Sequence, residues 1–224
     1  MGFGLLQKLE SKKMTREQLY KKVEQDYSIL PEVIKGLSSS KAAVRYGCGR
    51  VLVDFSGEHP EKLYTYMDFF INLLNSKYRI LTWNAMYVIA NLTKVDRDKK
   101  FDQIFDKYYS FLNNEYMVTV ANIVSCSSKI ALAKPYLIQK ITDKLLEVEN
   151  ISTSPHMTEE CKRVVVEKTV EFFDLFFDQI KDRNKVISFT KRHLDSPRRT
   201  LRKKVENFIR RRGSVEGFSK LSNK

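Results

Sequence analysis

SSSKAAVRYGCGRVLVDFS, residues 38–56, and NSKYRILTWNAMYVIANLT, residues 75–93, can be laid over one another residue for residue. The overlay sets Val44 against Leu81, Cys48 against Ala85, Val51 against Val88 and Phe55 against Leu92. These positions step by 4, 3 and 4, the spacing that keeps apolar side chains on one buried helical face. The small residue in each copy, Cys48 or Ala85, lets a neighbouring helix approach closely. A third copy, NNEYMVTVANIVSCSSKIA, residues 113–131, offers Val118, Ala121 and Val124 for the same stripe. Self-similarity at a fixed period marks a repeat architecture, in which each unit buries its apolar face only by stacking on the next.

Upstream, Thr15-Arg16-Glu17-Gln18 has the spacing of a capping box and predicts a helix from Thr15 to about Ser28. Short polar breaks at Ser38-Ser39-Ser40, Glu58-His59-Pro60, Asn75-Ser76 and Asn113-Asn114 separate the helices that follow. Downstream, Pro135–Val148 pairs with Thr158–Ile180, whose apolar face is Cys161, Val165, Phe172 and Phe176. The polar ENISTSPHM between them reads as a flexible insertion. A last pair covers 183–194 and 197–212, with Asp195 or Ser196 as N-cap and Pro197 pre-set for the first turn. The expected organisation is an N-terminal lead segment, 1–14, a repeat domain, 15–212, and a disordered tail, 213–224.

Composition agrees with long helices. Only 8 Gly and 5 Pro occur in 224 residues, and each Pro falls at a break. Cys48, Cys126 and Cys161 are odd in number and scattered through apolar patterns, unlike a secreted disulfide framework, so a cytoplasmic setting is expected. MGFGLLQKLESKK lacks the apolar run of a signal peptide, and Leu6 occupies the position where a myristoylation signal requires Ser or Thr. No stretch approaches the ~20 apolar residues of a membrane span, so no membrane partner is expected.

Two helix openings make the pattern more specific. Val44-Arg45 is followed by Gly47, Cys48 and Leu52, and Leu201-Arg202 by Val205 and Phe208. This resembles the second helix of a HEAT repeat, in the HEAT/armadillo superfamily. The family usually places an Asp a few residues before the Arg, where this chain has Ser39 and Ser196; the middle copies carry Thr82 and Thr119 in place of Arg. The resemblance implies an all-α fold, a right-handed α-α superhelix or HEAT-like solenoid of about five helix pairs, with a binding surface along the second helices.

Among features that could carry function, SPRRTLRKKVENFIRRR, residues 196–212, stands first. Leu201, Val205, Phe208 and Ile209 form an apolar stripe, and Arg or Lys fills most of the rest. Residues 181–212 hold thirteen Lys or Arg against three Asp or Glu, +10 of the chain's net +13. Clustered Arg can grip phosphates and release counterions, which makes Arg198, Arg199, Arg202, Lys203, Arg210 and Arg211 candidate anion or nucleic-acid contacts. The plainer reading is a capping helix with the polar outer face that a terminal repeat needs. Trp83, Asn84, Tyr87 and Asn91 share one side of a helix and, with Arg45 and Arg50, are the candidate groove residues for a protein or peptide. Packing between repeats is the competing role for Trp83, with Tyr46 at the aligned position. Phe172, Phe173, Phe176 and Phe177 read as core.

His59, His156 and His193 are isolated from one another and from the cysteines, with no metal-ligand spacing. There is no P-loop, G-x-S-x-G elbow or G-x-G-x-x-G turn after a strand, so neither catalytic residues nor a cofactor or metal site is assigned. The expectation is a non-catalytic scaffold for protein or peptide recognition, with nucleic-acid binding as the alternative. A HEAT-like alkylpurine DNA glycosylase is a third reading, resting on architecture alone and lacking an acidic residue placed beside Trp83.

Overall fold

The computed structural model describes residues 4–213. It is all-α: among the described residues the only β pairing is an isolated bridge between Ser154 and Met157. The helices run α1 (Leu5–Glu10), α2 (Arg16–Gln25), α3 (Leu30–Gly36), α4 (Ala42–Glu58), α5 (Pro60–Leu63), α6 (Met67–Leu73), α7 (Arg79–Leu92), α8 (Lys100–Tyr109), α9 (Met117–Ala133), α10 (Ile138–Leu146), α11 (Glu159–Phe176), α12 (Arg183–Lys191) and α13 (Arg199–Arg212). The long second helices α4, α7, α9, α11 and α13 recur about every 40 residues, the period of HEAT and armadillo repeats. The fold is an all-α solenoid of helix pairs, and the chain divides after Ile104 into two compact units.

In the first unit, α2 starts where the capping box places it: Thr15 Oγ1 accepts from the Gln18 N–H at 3.2 Å, and Gln18 Oε1 accepts from the Thr15 N–H at 2.9 Å. The aligned stripe is the core, with Val44, Cys48, Val51 and Phe55 buried on α4 and Leu81, Ala85, Val88 and Leu92 buried on α7. The Gly47-Cys48-Gly49 run is where three helices close on α4. A Cβ on Gly47 would lie 3.0 Å from Leu9 of α1, and one on Gly49 would lie 2.3 Å from Asn84 of α7. Cys48 Sγ, in turn, occupies the space that a Cβ on Gly36 of α3 would need, 2.5 Å away. The stretch read as a lead segment therefore contains a helix that packs: Leu9 and Met14 are buried.

In the second unit, Phe172, Phe173, Phe176 and Phe177 are all buried, with Phe173 edge-on to Phe189 at 5.3 Å and Phe177 edge-on to Phe208 at 5.5 Å. Val118 departs from expectation. It is 41% exposed, whereas Ala121 and Val124 are buried as expected, together with Thr119, Ile123, Cys126 and Ile130. The N-cap of α9, Tyr116, lies one residue further from Tyr78 than Tyr78 lies from Lys41, so Thr119 rather than Val118 takes the place of Val44 and Leu81.

The polar ENISTSPHM segment is also tied down rather than loose. Ile151 and Met157 are buried, the Met117 N–H donates to the His156 carbonyl at 3.2 Å, and the Ser154 hydroxyl donates to the Glu115 carbonyl at 3.1 Å. The His156 ring stacks on Tyr116 at 4.5 Å. Helix α13 begins two residues later than Pro197, with Arg198 as N-cap. The expected disordered tail lies, beyond Gly213, outside the described residues.

Candidate partner-binding faces

The turns before α4, α7, α9 and α13 carry a repeated clamp. The N-cap N–H groups of Lys41, Tyr78 and Arg198 donate to the hydroxyls of Ser39, Ser76 and Ser196 at 3.1, 3.1 and 3.3 Å, and the Tyr116 N–H donates to Asn114 Oδ1 at 3.0 Å. Six residues beyond the turn serine, a side chain returns to its carbonyl: Arg45 to Ser39 at 2.7 Å, Thr82 to Ser76 at 3.4 Å, Arg202 to Ser196 at 3.1 Å. Serine thus replaces the expected Asp because the Arg bonds to a backbone carbonyl rather than to a carboxylate. Arg45 corrects its assignment to the groove. It is 5% exposed, with its guanidinium over the rings of Tyr78 at 3.8 Å and Tyr46 at 4.9 Å, so it joins two repeats and is closed to a ligand.

Asn91 is corrected in the same way. It is 2% exposed and donates to Ser56 Oγ at 2.8 Å, fastening α7 to α4. The other groove candidates stay accessible. Trp83, Asn84 and Tyr87 are half-buried along α7, and Arg50 is exposed on α4, held to Asp54 one turn on by contacts of 3.1 Å from both Nε and Nη2. Arg50 also lines an open groove of about 620 Å³ walled by α2 and α4, with Arg16, Glu17, Tyr20 and Lys21 on one side and Arg50, Val51, Asp54 and Glu58 on the other. Sequence spacing alone does not reveal this groove, because its walls come from separate helices.

The basic helix α13 lies on an acidic one. Arg198 pairs with Glu160 and Glu167, Lys204 with Glu167 and Glu171, Arg211 with Asp174, and Arg212 with Asp178. The acidic members recur at helical spacing along α11 and the turn after it, so the ladder follows one face. Glu167 is its centre. Its carboxylate is 12% exposed and accepts from Arg198 Nε and Thr200 Oγ1, both at 2.7 Å, as well as from Lys204. Burial opposes its charge, but the hydrogen bonds from Lys204, Arg198 and Thr200 outweigh that and bring its pKa down to about 2.

Of the six candidate anion contacts, Arg198 and Arg211 are therefore engaged with carboxylates and Arg202 with a backbone carbonyl. Arg210 bonds to the neutral Asn207. Arg199, Lys203 and Arg210 are exposed and have no carboxylate partner among the described residues.

Two further clusters escaped sequence spacing. Glu149 takes both Arg192 and His193, with His193 Nε2 at 3.2 Å, in an open groove of about 460 Å³ that Ser196 and Pro197 also line. Burial lowers the His193 pKa against the pull of Glu149. Glu24, Glu58 and His59 also meet, although His59 reads as isolated in the sequence. The adjacency of Glu58 and His59 at a helix end was the available signal, but nothing local announces Glu24. Asp54 is bound by Arg50 in a groove that Trp83 does not line, so the groove puts no acid beside Trp83 for glycosylase chemistry.

No family model and no curated protein matches the sequence. Among solved structures, a designed armadillo repeat protein, YIII(Dq)4CqI, is similar over 92% of this chain and 90% of its own, with 16% identity and a TM-score of 0.58. An engineered protein, structural genomics target OR329, covers 93% of this chain and 87% of its own at 14% identity and a TM-score of 0.47. The class is accordingly that of armadillo/HEAT-like helical-repeat architectures. Among the described residues no helix is long and apolar enough to cross a membrane.

Proposed function

We propose that this chain is a non-catalytic scaffold that binds a protein or peptide on the face shared by α2, α4 and α7. One observation carries the reading: Arg50 lines an open groove between α2 and α4, and Trp83, Asn84 and Tyr87 stay partly exposed on α7, while Arg45 and Asn91 are committed to fixing the helices. A rigid backbone presenting aromatic and amide side chains suits an extended peptide, because little ordering entropy is lost on binding. The alternation of Arg16, Glu17, Lys21, Arg50 and Asp54 favours a partner of mixed charge over a polyanion. The reading sits with a cytoplasmic setting. Selection from a displayed peptide library against the wild-type protein, with an Arg50→Glu/Tyr87→Ala variant as counter-selection, tests it. Sequences enriched on the wild type and at least tenfold weaker on the variant support this face; enrichment that ignores both substitutions removes it.

A second reading, nucleic-acid binding, rests on Arg199, Lys203 and Arg210 at the outer flank of α13. Changing Arg198, Arg202 and Arg211 to Glu would test it badly, because two of them lie in the ladder and the third holds the turn. Arg199→Glu/Lys203→Glu/Arg210→Glu spares those contacts. Under this reading it abolishes salt-sensitive binding of DNA and RNA, whereas equal retention by both proteins ends it.

A further inference from the structure

Two helix ends converge where Glu24, Glu58 and His59 meet. Glu24 lies in the last turn of α2, Glu58 is the final residue of α4, and His59 caps that helix. One donor atom from each residue lies within 4.8 Å of the other two. His59 Nε2 stands 3.6 Å from Glu24 Oε1. That separation is too long for a hydrogen bond, yet it approaches the ~3.3 Å edge of a tetrahedron with metal–ligand bonds of about 2.0–2.1 Å. The same nitrogen is shielded from solvent and has no hydrogen-bond partner among the described residues. Phe55 at 4.9 Å and Tyr27 at 6.0 Å flank the imidazole, and the Tyr20 hydroxyl donates to Glu58 Oε2 at 2.8 Å. Hydrogen bonds of this second kind orient metal-bound carboxylates from outside.

The electrostatics are one-sided. A helix C-terminus carries the negative end of the dipole and favours cations, so carboxylates there are misplaced unless something positive offsets them. Both carboxylates sit at such ends; α4 has no basic residue in its last turn, and α2 has only Lys22. Among the described residues, neither Glu24 nor Glu58 forms an ion pair with Lys or Arg.

We propose that Glu24, Glu58 and His59 bind a divalent transition-metal ion of the zinc class, clamping the end of α2 to the end of α4. One imidazole and two carboxylates form a nitrogen and oxygen donor set suited to such an ion, and water completes the tetrahedron. The long Glu side chains supply the small contraction that brings the three donors onto one ion.

The test is calorimetric titration of the full-length protein with Zn²⁺, alongside Co²⁺ absorption spectra and thermal unfolding with and without Zn²⁺. One equivalent bound, a Co²⁺ spectrum without a sulfur-to-metal band, and a raised Tm are expected. Tyr20→Phe should weaken binding about tenfold, the low end for loss of an outer partner, and Glu24→Gln and His59→Gln by more. Glu24 is exposed, so its variant keeps the fold even if loss of the His59 ring loosens Phe55; Glu206→Gln, exposed on α13, is the neutral control. No binding by the wild type, undiminished affinity in Glu24→Gln, or a sulfur-to-cobalt band placing the ion on Cys161 each overturns the proposal.

Discussion

Single residues at α4 show how locally this fold is specified. Gly36 and Cys48 share one space, so Gly36→Ala drives a methyl into a buried sulfur that cannot move aside. Overpacking of this kind costs about 1–3 kcal/mol, and urea unfolding should show a lower midpoint with an unchanged m-value. Cys48 is instructive in another way. Burial, with a smaller contribution from Glu32, pushes its thiol up to about 12, and burial does the same to Cys126. Cys161 is only half-buried. A thiol reagent at neutral pH should therefore modify Cys161 in the native protein and reach the other two on unfolding; fast reaction at Cys48 or Cys126 would contradict the packing. The apolar period exposed the core positions, since burial of a stripe is a local property of one helix. The competing fates of Arg45 and Arg50 were not legible, because both are polar on the same helix and the Tyr78 ring that covers Arg45 comes from the next repeat.

Elements explain where the charge goes. The basic helix α13 reads from sequence as a phosphate-binding surface because its own residues are almost all of one sign. The acids that neutralise it sit on α11 some 30 to 40 residues earlier, among apolar positions that suggested only a core helix. The pH behaviour follows from the direction of the shift at Glu167. Its pKa is depressed on folding, so its contribution is complete above the ordinary carboxylate range and is lost as pH falls through about 2. Glu160, also lowered by Arg198 and then Arg163, adds in the same sense. The stability difference between wild type and Glu167→Gln should be constant near neutrality and shrink progressively below about pH 4.5. Equal differences at pH 7 and pH 3 would show that Glu167 acts by packing alone.

At the scale of the whole molecule, a stack of repeats has no interaction that ties distant parts of the sequence together, and stability is close to a sum over units and their nearest neighbours. That is why the architecture was readable from two copies of one helix: each copy states the same rule, and neither needs information from far along the chain. The partner, by contrast, depends on side chains that the rule leaves free. The same additivity makes a quantitative demand. Gly36→Ala acts within the first compact unit and Glu167→Ala within the second, and the two sites share no partner. Truncating Glu167 leaves Arg198 and Lys204 without their common acceptor, a loss of about 1–3 kcal/mol for a network with charged hydrogen bonds. The double variant should lose the sum of the two single losses to within about 0.5 kcal/mol, measured by urea unfolding of all four proteins. A coupling beyond about 1 kcal/mol would mean that strain at Gly36 reaches the α11–α13 ladder, and the nearest-neighbour description of this chain would have to be abandoned.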